Sequence, residues 1–353
     1  MPAPPAGRSG ARPARRERSA SLIIGACLLG ALASGILTGP AGLPWRGVVL
    51  DIVGRLPLLH IHSGLSSTQK AILWQIRMPR VVLGAVVGWM LAASGAAYQG
   101  VFRNPLADPY LLGAAAGAGL GATVIIAYGR GLSGWVIDPL PLAAFVGAVA
   151  AVAASYAVAT AADRRGGAAT IILAGVAVAA FFTAIQTYIQ QQHAADIREV
   201  YDWILGRLST SGWHEVWLVL PYVIVSSAVL LLHRRTLDVL SVGEQEASTL
   251  GIDAPRTRLI VVGAATLGTA AVVAVSGLIG FVGIIVPHTV RLTAGASYRR
   301  ILPLSMLGGA AFLIVADTAA RTVAAPAEIP IGVVTAFFGA PFFILVLRTR
   351  ARR

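Results

Sequence analysis

The chain has 353 residues, of which 56% are hydrophobic and only 12% charged, with a mean hydropathy of +0.76. A soluble domain carries about 25% charged residues, so the composition excludes an ordinary water-soluble body and requires helices that face lipid. The net charge of +13 is no nucleic-acid signature, because the 28 basic residues, all arginine except Lys70, are distributed between apolar runs, and the single cysteine, Cys27, excludes an internal disulfide or a cysteine-based metal site.

Residues 1–20 form a Pro/Ala/Arg-rich tail expected to lack structure. An apolar run at 21–39 follows, read as an uncleaved first helix rather than a signal peptide, because five arginines before it would hold that end in the cytoplasm. Further runs long enough to span a bilayer lie near 80–101, 109–128, 139–161, 168–190, 215–233, 258–276, 277–293, 301–319 and 331–348. The fold class is therefore an all-α polytopic membrane protein of about ten helices, one transmembrane domain over 21–350. Alternating from an inside N-terminus places nineteen basic residues inside and nine outside, with both termini in the cytoplasm. Glycines spaced at four (Gly84/Gly88, Gly113/Gly117, Gly117/Gly121) suit close helix packing. Ser94-Gly95, Pro105 and Gly113 recur as Ser276-Gly277, Pro287 and Gly295, an offset of 182 that suggests an inverted internal repeat.

Three polar segments interrupt the pattern. Residues 99–113 (QGVFRNPLADPYLLG) contain two prolines that break a helix, with Asn104 and Asp108 supplying turn chemistry. Residues 237–258 form a loop whose Gly243, Glu246, Ala247 and Leu250 have helical spacing before a Gly251 stop, a plausible docking element on the cytoplasmic side. The third comprises GFVGIIVPHTVR (280–291) and the run from Ala325 to Phe343; His288 has no partner at ligand spacing and is read as structural. The sequence contains no GxxxxGK[ST] loop, so it is no conventional P-loop ATPase. Only Asp317 lies properly within a span, and Arg321 follows it by one helical turn. The absence of midplane acids argues against an ion-coupled secondary carrier and for a conduit driven by a partner.

The runs WQIRMPR, RNPLADPYLLG, ILAG, SVGEQEASTLG, GFVGIIVPH and PAEIPIGVVTAFFGAPFF, spread over residues 70–350, resemble the FecCD-type permeases of ABC importers for iron-siderophores, haem and vitamin B12. The resemblance implies a type II ABC importer permease fold with an inverted repeat, in the bacterial cytoplasmic membrane. It implies a second copy of the chain or a close paralogue, two cytoplasmic ATPase subunits that bind ATP and Mg, and an extracytoplasmic binding protein. It implies no catalytic residue, cofactor or metal in this chain. Arg77, Arg80 and Arg321 match positions that face acidic residues of the binding protein. Asn104 and Leu106 match the narrowing of the pathway, and Ala168 and Ala169 match a second gate where the vitamin B12 permease has hydroxyl residues. Ser241, Gly243, Glu244, Glu246, Ala247, Leu250 and Gly251 match the ATPase-coupling segment. An iron-siderophore is the cargo expected, with vitamin B12 or haem as alternatives.

Overall fold

Backbone polar groups in lipid must be satisfied within their own segment, and the described residues form helices and no strand. The structure, a computed structural model, describes residues 11–55, 62–129, 138–162, 167–209 and 212–350. In chain order these form α1 (Ala11–Leu37), α2 (Trp45–Val53) and α3 (Ser67–Ala71), which runs through a π-helical turn (Ile72–Arg77) into α4 (Met78–Val101). Next come α5 (Ala114–Tyr128), α6 (Pro139–Ala162), α7 (Ala168–Gln192), α8 (Ile197–Ile204) and α9 (His214–Leu232). The short α10 (Arg234–Leu240) and α11 (Glu244–Thr249) precede α12 (Ala254–Ser276), α13 (Val282–Ala294), α14 (Tyr298–Ala320) and α15 (Ile331–Arg350).

Seven described segments are long and apolar enough to cross a membrane: Ser19–Leu37, Ser67–Val101, Pro139–Ala162, Ala168–Gln192, His214–Leu232, Ala254–Ser276 and Tyr298–Ala320. Three shorter apolar helices, Ala114–Tyr128, Val282–Ala294 and Ile331–Val346, occupy the remaining expected positions. At about 1.5 Å per residue, α5 and α13 reach only roughly 22 and 20 Å, less than the ~30 Å hydrocarbon core. The missing length lies in two unwound stretches, 102–113 before α5 and 277–281 before α13. The expected starts at 109 and 277 are corrected accordingly to 114 and 282. The tail expected to be structureless through residue 20 is also corrected: α1 begins at Ala11.

The spans fall into two sets of five, α1 with α4–α7 and α9 with α12–α15, and the third member of each set is a short helix behind an unwound stretch. That order pairs α4 with α12 and α5 with α13. The 182-residue register is corrected, since it would lay the interior of α4 on the end of α12 and the start of α5 on the end of α13. Helix α4 is the hub: its spanning segment is 78% buried, against 17% for α1 and 22% for α7. Small residues permit the closest approaches. A side chain at Gly88 would collide with the Gly309 carbonyl of α14, and one at Gly95 with Gly283 of α13. Gly117 and Gly147 stand in the same relation between α5 and α6.

Candidate gate and coupling site

The unwound stretch 102–113 is built by local side-chain acceptors. Asn104 Oδ1 accepts from the Leu106 N–H at 3.0 Å, and Asp108 Oδ1 from the Tyr110 N–H at 2.8 Å, the turn chemistry expected of Asx residues. Arg103 adopts φ 50° and Gly113 φ 84°, left-handed conformations that reverse the chain and open α5. Irregular backbone is tolerated at membrane depth only against protein or a water-filled cavity. Here it is braced by the second unwound stretch: the Tyr110 hydroxyl lies 3.2 Å from both the carbonyl and the N–H of Ile279, and Pro109 packs over Gly283. Gln99 at the end of α4 donates to the Gly283 carbonyl and accepts from Arg291. The two helix breaks thus form one joint. Tyr110→Phe is expected to cost about 1–3 kcal/mol by orphaning the Ile279 groups. It should also speed hydrogen exchange over 277–281; unchanged protection there would refute the joint.

Of the residues expected at a gate, Asn104 and Leu106 lie half-buried in this joint, whereas Ala168 and Ala169 open α7, half-buried and exposed respectively. The joint meets α7 further along, with Leu111 and Leu112 packed on Gly175, two turns beyond Ala168.

The 237–258 segment is helical as its spacing suggested. In and around α11, Ala247 is fully buried and Gly243 is buried, whereas Ser241, Glu246, Leu250 and Gly251 are exposed. Leu250 is 68% exposed and the neighbouring Val242 71%, an apolar pair on an otherwise polar surface. Glu244 is held by Arg258, a buried residue near the base of α12, and lies 3.9 Å from Arg103 at the start of the gate stretch. Asp238 accepts from Ser297 Oγ and from the Tyr298 N–H, which caps α14. Sequence reasoning passed over Arg103, Arg258, Asp238 and Tyr110. Their roles depend on contacts across the fold, and no local periodicity marks them.

The opposite end holds the three arginines expected at a binding-protein face, and each has partners within the chain. Arg77 is buried and donates to the carbonyls of Ile36, Leu37 and Ala41 at 3.0, 3.3 and 2.6 Å. Arg321, also buried, donates to Thr38 and Gly35 carbonyls at 3.0 and 2.5 Å. These are the orphan carbonyls and chain exit of α1, where cations are favoured. Both guanidinium groups flank Gly39, leaving no room for a side chain. Both are thus engaged with the end of α1. The expected Asp317–Arg321 pair is present at 3.2 Å, but Asp317 also takes Arg80 at 2.8 Å. Arg80 remains partly exposed and is held in a fork by Glu328 at 2.9 and 3.0 Å. Alongside, burial would raise the Asp51 carboxyl, but hydrogen bonds from Trp74 and Ser63 and the charge of Lys70 hold it below the usual range. Among the described residues no group of three metal-ligating side chains converges, and the His288 ring packs edge-on against Phe342.

The FecCD transport family model matches residues 22–349. A cobalamin import system permease protein of Halobacterium salinarum is 44% identical over 88% of this chain and 81% of its own length. A hemin transport system permease protein of Yersinia pestis is 40% identical over 79% of this chain and 84% of its own. An Fe(3+) dicitrate transport system permease protein of Escherichia coli is 33% identical over 93% and 96%. A solved structure described as a metal-chelate type ABC transporter in an inward-facing conformation superposes with a TM-score of 0.79 at 28% identity, covering 93% of this chain and 98% of that one.

Proposed function

The chain belongs to the FecCD transport family of ABC importer permeases, and from that premise we propose the working assembly: two copies enclosing a pathway, two separate ATPase subunits at the 237–258 end, and a binding protein at the opposite end. ATP and Mg bind in the ATPase subunits, and this chain takes no cofactor. The observation that carries the reading is the chain of contacts from α11 through Glu244 to Arg258 and Arg103, and from there to the joint at Tyr110 and Ile279. The exposed Val242 and Leu250 give the ATPase an apolar anchor beside that chain. When α11 shifts, Glu244 pulls on the base of α12 and on the start of the gate stretch, and both arms end at the same joint. The pathway then opens to one side at a time.

The clustering of arginines at the 237–258 end supports placing it in the cytoplasm with both termini, in the cytoplasmic membrane. Exposed apolar residues on α7 (Leu173, Val176, Phe181) and Phe337 on α15 are the proposed contact with the second copy. Docking of the binding protein is proposed at Arg80, which reaches the surface, and at the exposed Arg198 and Arg207.

The cargo is a bulky metal chelate, and a corrinoid is proposed because the 44% identical relative is named for cobalamin. The iron-siderophore expectation stands as the second reading, favoured by the relative named for Fe(3+) dicitrate. The test is ATP hydrolysis by the reconstituted assembly with its binding protein. Cobalamin should stimulate it and a ferric siderophore should not; the reverse would establish the second reading. Hydrolysis by the purified chain alone would refute the subunit assignment.

A further inference from the structure

The 237–258 segment grips the body of the protein at a second place. On α10, Leu237 is fully buried against Gly100 at the end of α4, where an added side chain would meet Leu237 Cδ2 and the Tyr298 ring at 3.1 Å. The gate stretch hangs from this point: the Arg103 and Asn104 N–H groups donate to the Gly100 and Gln99 carbonyls at 3.4 and 3.2 Å. From the same helix Asp238 accepts from Ser297 Oγ at 2.8 Å and from the Tyr298 N–H. Its carboxylate thereby satisfies a donor that the first turn of α14 cannot pair within its own helix. The Tyr298 side chain, 2% exposed, carries the contact inward, its hydroxyl accepting from Arg291 Nη2 of α13 at 3.0 Å. The same nitrogen donates to Gln99 Oε1 at 3.3 Å, and Gln99 Nε2 donates to the Gly283 carbonyl at 3.1 Å. The contacts at Asp238 and Arg291 are charge-assisted, the stronger class of hydrogen bond. They run from α10 through α14 and α13 to the end of α4 and the joint, by way of neither Glu244 nor Arg258.

The apolar anchors divide in the same way. Val242 stands two residues after α10 and Leu250 directly after α11, and both are exposed. A partner that grips both displaces α10 as well as α11.

We propose that Asp238, Tyr298 and Arg291 are positioning residues of a second coupling route, which carries displacement of α10 to the end of α4 and so to the gate stretch. The proposal rests on the reading of 237–258 as the ATPase contact. Contiguous hydrogen bonds between rigid helices are the physical means of such transmission. Here they let the two routes act on the joint from different sides, one through the base of α12 and one through α4.

The experiment measures cargo moved per ATP hydrolysed by the reconstituted assembly, with whichever of cobalamin and a ferric siderophore stimulates the wild-type complex. Tyr298→Phe removes one hydroxyl and keeps the ring against Gly100. It should lower the ratio about tenfold, the weaker end of the range for a hydrogen bond to a charged group, while cargo-independent hydrolysis continues. Arg291→Met, which removes both of its bonds, should lower the ratio further. Hydrogen exchange in Tyr298→Phe should rise over 99–104 and stay at the wild-type level over α11. Combined with Glu244→Ala, Tyr298→Phe should abolish the transport that either variant leaves. Transport and hydrolysis falling in proportion would reduce these contacts to packing and overturn the proposal. An unchanged ratio in Tyr298→Phe beside an uncoupled Glu244→Ala would overturn it and leave the coupling segment standing. A double variant no worse than Glu244→Ala alone would put the hydroxyl on the Glu244 route, and overturn it equally. If neither single variant changes the ratio, the reading of 237–258 falls and the proposal with it.

Discussion

Replacing Asp317 by alanine is expected to destabilise the protein by about 3–5 kcal/mol, the cost of removing one partner from a buried charge pair. Asp317 is 2% exposed and is the shared counter-ion of Arg80 and Arg321. Arg321 and Arg77 in turn hold the carbonyls at the end of α1. Without the carboxylate, buried guanidinium groups face one another and α1 loses its clasp. The measurement is thermal unfolding in detergent, read as the surviving monodisperse fraction, together with protease sensitivity after residue 37. The same substitution in an Arg80→Met background should cost less, because one of the two guanidinium groups that Asp317 compensates is already gone. An Asp317→Ala protein that unfolds like wild type would show that the cluster contributes nothing to holding the end of α1.

The fold was largely legible because lipid imposes a single period and a single length on apolar segments. All ten expected spans have a helical counterpart, and the errors sit where helices break. Residues 109–113 and 277–281 are as apolar as a span and lie beside prolines or glycines, so hydropathy alone could not separate unwound chain from helix. Gly277 and Phe281 take left-handed conformations there, a tertiary outcome invisible to composition. The arginines show what a sequence leaves out. Arg77 and Arg321 lie at the expected end, but their partners are backbone carbonyls of a helix about forty and nearly three hundred positions distant. A carbonyl leaves no mark in a sequence, so these contacts were not legible there. Glu244 was found through motif resemblance. Its partner Arg258 was counted only as one more inside charge, because the pairing spans two helices and a loop.

Replacing Glu244 by alanine is expected to lower transport by about ten- to a hundredfold while leaving ATP hydrolysis running without stimulation by cargo. Hydrogen bonds to charged groups contribute about 1.5–3 kcal/mol, and that range converts to factors of this size. The two arms of Glu244 differ in weight. Arg258 is buried and in direct contact, whereas the Arg103 pair spans 3.9 Å between half-exposed side chains. An exposed pair of that kind contributes about 0–1 kcal/mol. Arg258→Gln should therefore reproduce the uncoupling, and Arg103→Gln should leave most transport intact. The ratio of cargo moved to ATP hydrolysed separates this from simple misfolding, since a merely unstable permease loses both in proportion. Motion of α11 reaches the joint only while its carboxylate grips α12, so the ratio must fall when that grip is removed. A Glu244→Ala assembly that transports at an unchanged ratio would place the mechanical link elsewhere on α11, with the apolar pair Val242 and Leu250 as the surface left to carry it.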